Sequence, residues 1–147
     1  MPRTTSSEAG LIVARLTLGV FFTFEGWDKL PWVTHPEELT SILVRWAEEG
    51  TSLSKWYIQT FCLPGVPVFA RLIFFGEVLA GVALICGFWT RTTAMVLFLL
   101  VLNIHLAHNT LLQYSFLSKG DGLPVLGGLL ALVIGGAKLP LSVRKRK

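Results

Sequence analysis

Charge is scarce in this sequence. Asp, Glu, Lys and Arg make up 15% of its 147 residues, while 52% are hydrophobic. An ordinary soluble domain carries about a quarter charged residues, so the balance argues against a surface that meets water on every side. Membrane is therefore the first class to test. Cysteine is scarcer still, with Cys62 and Cys86 the only two and no CxxC pair. That argues against a dithiol mechanism within this chain. The Glu-x-x-His pairs that build di-iron bundles are missing, no metal site is assigned, and nothing resembles a nucleic-acid-binding module.

What the sequence does hold is long apolar segments. Residues 9–27, 66–88, 92–109 and 122–139 are each near the bilayer-spanning length, roughly 17–25 residues. They predict an all-α integral membrane protein, a single four-transmembrane-helix bundle over residues 1–147. The first segment carries Arg15 within its apolar run and ends in bulky aromatics, so it is expected to be a retained helix and not a signal peptide. Four spans put both termini on one side, with Arg3, Arg91, Lys138, Arg144, Lys145, Arg146 and Lys147; Lys29, Arg45, Lys55 and Lys119 lie on the other. The bias predicts cytoplasmic termini in a bacterial inner (plasma) membrane, with the RKRK tail near anionic headgroups.

Between the first two spans lies a long loop expected to be exterior and to hold amphipathic helices over about 36–61. Pro36, Glu37 and Glu38 suit a first helical turn, and Gly50 a stop. Leu39, Ile42, Leu43 and Trp46 recur on one face, and Leu53, Trp56, Tyr57 and Phe61 form a second pattern. These helices either lie in the interface or cap the bundle. Small residues should mark helix contacts: Gly19 and Gly26 beside Arg15, Phe22 and Lys29; Gly76, Ala80, Ala83 and Gly87; Gly127, Ala131 and Gly135.

Ionisable groups inside a membrane mark candidate sites. Counting 1.5 Å per residue, Glu77 falls near the midplane, Glu25, Arg71, His105 and His108 in the outer third, and Lys29 and Asp121 just above. Glu77 is the strongest of these: it either forms an ion pair, with Arg15 or Arg71, or handles protons or a ligand. Arg71 either snorkels to headgroups, binds an anion or pairs with Glu25. His105 and His108 share a helix face, where they could ligate a metal, hydrogen-bond a ligand such as a quinone, or pack as structural polar groups. Asn103 points to nearly the opposite face. The tryptophans read as an interfacial belt.

Two blocks carry a family resemblance. The first reads Arg15-x-x-x-Gly19 and then Gly26-x-x-Lys29-Leu30; the second reads Glu77-x-x-x-Gly81-x-x-Leu84-x-x-Gly87, followed by Thr90-Arg91 and Ala94. The pattern resembles the DoxX family of small four-helix bacterial membrane proteins, which includes the quinone-reducing subunit type of thiosulfate:quinone oxidoreductase. The resemblance implies a redox-associated subunit with a membrane or peripheral protein partner, and a quinone as the cofactor or ligand. It singles out Arg15, Gly19, Gly26, Lys29, Glu77, Gly81, Gly87 and Arg91 as structural or functional. Glu25 and the HLAH stretch fall outside the motif. No catalytic residue is assigned, and two alternatives remain open: a non-enzymatic accessory subunit, and a proton or small-solute pathway.

Overall fold

The computed structural model describes residues 5–111, 113–118, 120, 122–136 and 139. Asp121, Lys119, Arg3, Lys138 and the basic tail lie outside the described residues. Among the described residues every regular element is helical: α1 Ser6–Asp28, α2 Pro31–Thr34, α3 Glu37–Glu49, α4 Ser52–Tyr57, a π-helical turn Ile58–Cys62, α5 Val66–Cys86, α6 Thr90–Ala107, α7 Tyr114–Ser118 and α8 Leu123–Gly135. Three of them, α1, α5 and α6, are long and apolar enough to cross a membrane, while α8 is a shorter apolar helix.

Local chemistry sets the ends of these helices. α1 begins ahead of its apolar run because Thr5 and Glu8 form a capping box that satisfies orphan N–H groups. α5 stops at Cys86 because Gly87 takes a left-handed conformation, φ 69°, which costs glycine nothing. Trp89, also at positive φ, then opens α6 two residues earlier than the apolar pattern suggests.

The long helices and α8 pack in a ring, α5 lying between α1 and α6, and α8 closing the ring between α6 and α1. Phe22, Leu84, Ala94, Leu97, Leu129 and Leu132 fill its centre. The outward faces stay apolar, with Val13, Val20 and Phe24 on α1, Leu72, Phe75 and Leu79 on α5, and Val96 and Leu99 on α6 all exposed. Helices whose surfaces are this apolar are at home in a lipid bilayer, where backbone groups are satisfied within each helix.

Lipid tails are as apolar as leucine, so close packing rather than hydrophobic burial holds such a ring together. The tightest packing is between α1 and α5. A Cβ at Gly19 would stand 2.7 Å from Ile85 Cγ1, one at Gly26 2.9 Å from both Glu77 Cβ and the Val78 nitrogen, and one at Gly81 2.6 Å from the Thr23 nitrogen. Arg15, Gly19, Phe22 and Gly26 make up the buried face of α1. On α5 the packing face is corrected: it runs through Glu77, Gly81 and Leu84, whereas a Cβ at Gly76 would meet nothing within 4 Å. On α8, likewise, Val125, Leu126, Leu129 and Leu132 turn inward, and Gly127 and Ala131 are exposed. Bulky side chains define the contact of α8 with α6, whereas toward α1 its glycines do come close: a Cβ at Gly128 would stand 3.0 Å from Leu18 Cδ1 and one at Gly135 2.6 Å from Leu11 Cδ1.

The segment between α1 and α5 folds over one end of the ring. Leu39, Leu43 and Ala47 of α3 are buried with Ile58, Cys62, Val66, Ala70 and Ala107 in a second apolar cluster. The docking is also polar: Ser54 Oγ donates to the Ala107 carbonyl, Thr51 Oγ1 to Asn109 Oδ1 at 3.2 Å, and the Trp46 ring stacks on His108 at 4.4 Å.

Candidate functional site

Lys29 is the first residue beyond α1, and its side chain turns back along the helix. Its ammonium donates to three oxygens: Glu77 Oε2 at 2.6 Å, the Glu25 carbonyl at 3.0 Å and Glu25 Oε2 at 3.3 Å. An ammonium has three protons, so the set is complete. The Glu25 carbonyl belongs to the last turn of α1, where helix geometry leaves carbonyls without an intrahelical donor. The Glu77 side chain is 4% exposed, that of Lys29 16%, and that of Glu25 47%. The three groups therefore grade from the interior of the α1–α5 contact to the surface. The glycine crossing makes the arrangement reachable, because Gly26 lets Glu77 come against α1 three residues before Lys29.

Beside this cluster lies a cavity of about 210 Å³, bounded by the start of α5, the end of α6 and the segment that covers them. Trp32, Leu39, Ile42, Leu43, Trp46, Phe69 and Ile73 give it apolar walls. Its polar groups are few: Lys29 at one place, Tyr57 and Asn103 at another. Asn103 Nδ2 donates to the Tyr57 hydroxyl at 2.6 Å. Cys62 shares the wall, and burial pushes its thiol up against a smaller opposing hydrogen bond from Tyr57. A thiol held protonated is a poor nucleophile, so Cys62 serves here as an apolar wall.

The sequence-derived candidates divide. Glu25 and Glu77 come together, bridged by Lys29, which takes the place expected of Arg15 or Arg71 as the Glu77 partner. Arg71 is exposed, one helical turn from Pro67, whose carbonyl it binds at 3.2 Å. His105 Nδ1 meets Thr110 Oγ1 at 2.9 Å with its ring edge-on to Phe116, and His108 stacks on Trp46. Neither histidine lines the cavity, and among the described residues no three His, Cys, Asp or Glu side chains gather as a metal site. In the sequence Tyr57 reads as one more residue of an apolar face. Asn103 carried a usable signal: an amide within an apolar span, facing away from the other polar residues.

A family model for DoxX matches residues 10–109. The chain belongs to the DoxX family. The match takes in the whole Lys29–Glu77 cluster and every residue lining the cavity. Comparison with curated proteins and with solved structures returns no match. Within this DoxX protein the motif residues have separate mechanical duties. Gly19, Gly26 and Gly81 form the α1–α5 crossing, Gly87 terminates α5, and Arg15 is 1% exposed on the inward face of α1. Arg91 Nε donates at 2.7 Å to the Val133 carbonyl, in the last turn of α8, so it ties the start of α6 to an orphan acceptor there.

Proposed function

We propose that this DoxX protein is a redox-associated multi-pass subunit, with four transmembrane helices, that binds the head group of a quinone in the cavity beside Lys29. The observation that carries this reading is the lining: apolar and aromatic walls with an ammonium anchored at one point by two carboxylates. Small-ligand sites pair apolar walls with a few placed polar groups in this way. A quinone carbonyl accepts hydrogen bonds, and the longest of the three Lys29 contacts, to half-exposed Glu25, is the one a ligand oxygen would replace. Glu25 then returns to water at little cost, while Glu77 keeps the ammonium in place.

Reducing a quinone to its hydroquinone takes two electrons and two protons. In this reading a partner protein supplies the electrons, Lys29 donates one proton to the oxygen beside it and is recharged from water through Glu25, and the far oxygen takes the second proton from water. The loop over the cavity faces the exterior of a bacterial inner membrane, with both chain termini in the cytoplasm, as the Lys and Arg distribution favours.

Purified full-length protein reconstituted in phosphatidylcholine vesicles tests the site. Trp32 and Trp46 line the cavity, so 2-decyl-1,4-benzoquinone should quench tryptophan fluorescence saturably, and Lys29→Met should weaken the saturable part by tenfold or more. Quenching that rises linearly with quinone, alike in both proteins, would reduce it to partitioning into lipid and overturn the proposal.

A further inference from the structure

The cavity has a second hydrogen-bonding pole that the Lys29 chemistry leaves unused. Tyr57 and Asn103 both line it, and they reach it from elements on the other side of α5 from Lys29: α1 ends at Lys29 on one flank, and α6 carries Asn103 on the other. Asn103 donates to the Tyr57 oxygen, which leaves the phenol proton to be given elsewhere. The Cys62 sulfur shares the cavity wall, and sulfur is a weak acceptor. A carbonyl or hydroxyl oxygen in the cavity is a better one. Each pole can therefore offer a proton to a ligand oxygen, Lys29 in place of its 3.3 Å contact to Glu25 and Tyr57 through its hydroxyl, whose oxygen already accepts from Asn103.

Size narrows the class of ligand. An apolar cavity of about 150 Å³ takes up benzene, so one of about 210 Å³ suits a single substituted ring. Asn103 also lies one turn from the end of α6 with its side chain exposed. An amide at such depth is costly toward lipid unless partnered, and Tyr57 partners it at the rim.

We propose that Tyr57, oriented by Asn103, is the second binding pole of the cavity, and that together with Lys29 it selects single-ring head groups with an oxygen at each end. This rests on the quinone-site reading above and adds to it a specificity: two oxygens over one, and one ring over two fused rings. A π-helical turn, Ile58–Cys62, begins directly after Tyr57, an irregularity often found beside functional sites.

The test uses the same vesicles. Binding of 2-decyl-1,4-benzoquinone is read by fluorescence quenching, and 3-decylphenol, with one oxygen, and 2-decyl-1,4-naphthoquinone, with two rings, are read by competition against it. The unaltered protein should prefer the benzoquinone to either competitor by about tenfold. Tyr57→Phe, which keeps the ring and deletes the hydroxyl, should lower benzoquinone affinity roughly threefold to tenfold, the range of one neutral hydrogen bond, and leave the phenol unchanged. Asn103→Leu should reproduce the loss in weaker form, through the freed phenol. Saturable benzoquinone binding with the same preference in all three proteins would overturn the second pole and leave the quinone site standing. No saturable binding by the unaltered protein would instead overturn the quinone site, and the pole with it.

Discussion

At the scale of the residue, Lys29 and Glu77 are not equivalent halves of an ion pair. Removing Lys29 strands a carboxylate that is 4% exposed, whereas removing the Glu77 charge leaves Lys29 its two contacts to Glu25. Breaking a buried pair from the side that leaves an uncompensated charge costs about 3–5 kcal/mol. Loss of one charged hydrogen bond with the rest of the set intact costs roughly 1.5–3 kcal/mol. Lys29→Met should therefore lower the unfolding temperature in detergent more than Glu77→Gln does, and Lys29→Met combined with Glu77→Leu should recover most of the loss. Equal shifts for the two single variants would contradict the asymmetry. Much of this was readable beforehand for Glu77, since a lone carboxylate in an apolar helix advertises itself. Its partner was not readable. Lys29 lies past the end of α1, and whether it reaches back depends on how closely two helices cross, a distance that no spacing within one helix encodes. For the histidines the sequence left three readings open, and the contacts describe the packing one: His108 stacks on Trp46 and His105 meets Phe116 edge-on.

At the scale of the element, the α1–α5 crossing decides whether that cluster exists. A Cβ at Gly81 would meet the Thr23 backbone nitrogen at 2.6 Å, and backbone cannot give way as the end of a side chain can. Gly81→Ala should force the helices apart, at the 1–3 kcal/mol typical of overpacking, roughly. It should also weaken quinone binding by shifting Lys29 away from Glu77. Gly76→Ala supplies the control, since its methyl would meet nothing within 4 Å; it should be neutral or slightly stabilising, because glycine is a poor helix former. Parallel melts and quenching titrations of the two variants check both expectations, and equal behaviour would refute the assigned contact face. The all-helical class and the apolar spans were legible from composition and run length alone. The rotation of each helix was legible only for α1, where the glycines coincide with Arg15 and Phe22. On α5 two small-residue faces compete, Gly76–Ala80–Ala83 and the one through Gly81, and only the partner helix chooses between them.

At the scale of the whole molecule, topology turns on how often the chain crosses the bilayer. α1, α5 and α6 are each long enough, and an odd count would put the termini on opposite sides. α8 has 13 residues, which at 1.5 Å each gives about 20 Å against a hydrocarbon core of about 30 Å. In the four-span reading proposed above it crosses all the same, and its packing supports that reading. It lies between α6 and α1 in the ring, buries Leu129 and Leu132 completely against them, and its last turn is held by Arg91 from the start of α6. A helix antiparallel to α6 along this length ends where α6 begins, at the same membrane face as the N-terminal end of α1. Both termini then share a side, and the segment over the cavity takes the other. Alkaline phosphatase, active only outside the cytoplasm, should therefore be silent when fused at either terminus. Lys55, exposed in α4, gives the opposite readout: Lys55→Cys in a Cys86→Ser background should react with a membrane-impermeant maleimide on intact cells. Phosphatase activity from the C-terminal fusion alone would mean that α8 does not cross. Failure of Lys55→Cys to react, with activity at both termini, would mean that the whole bundle is inverted and that the cavity faces the cytoplasm.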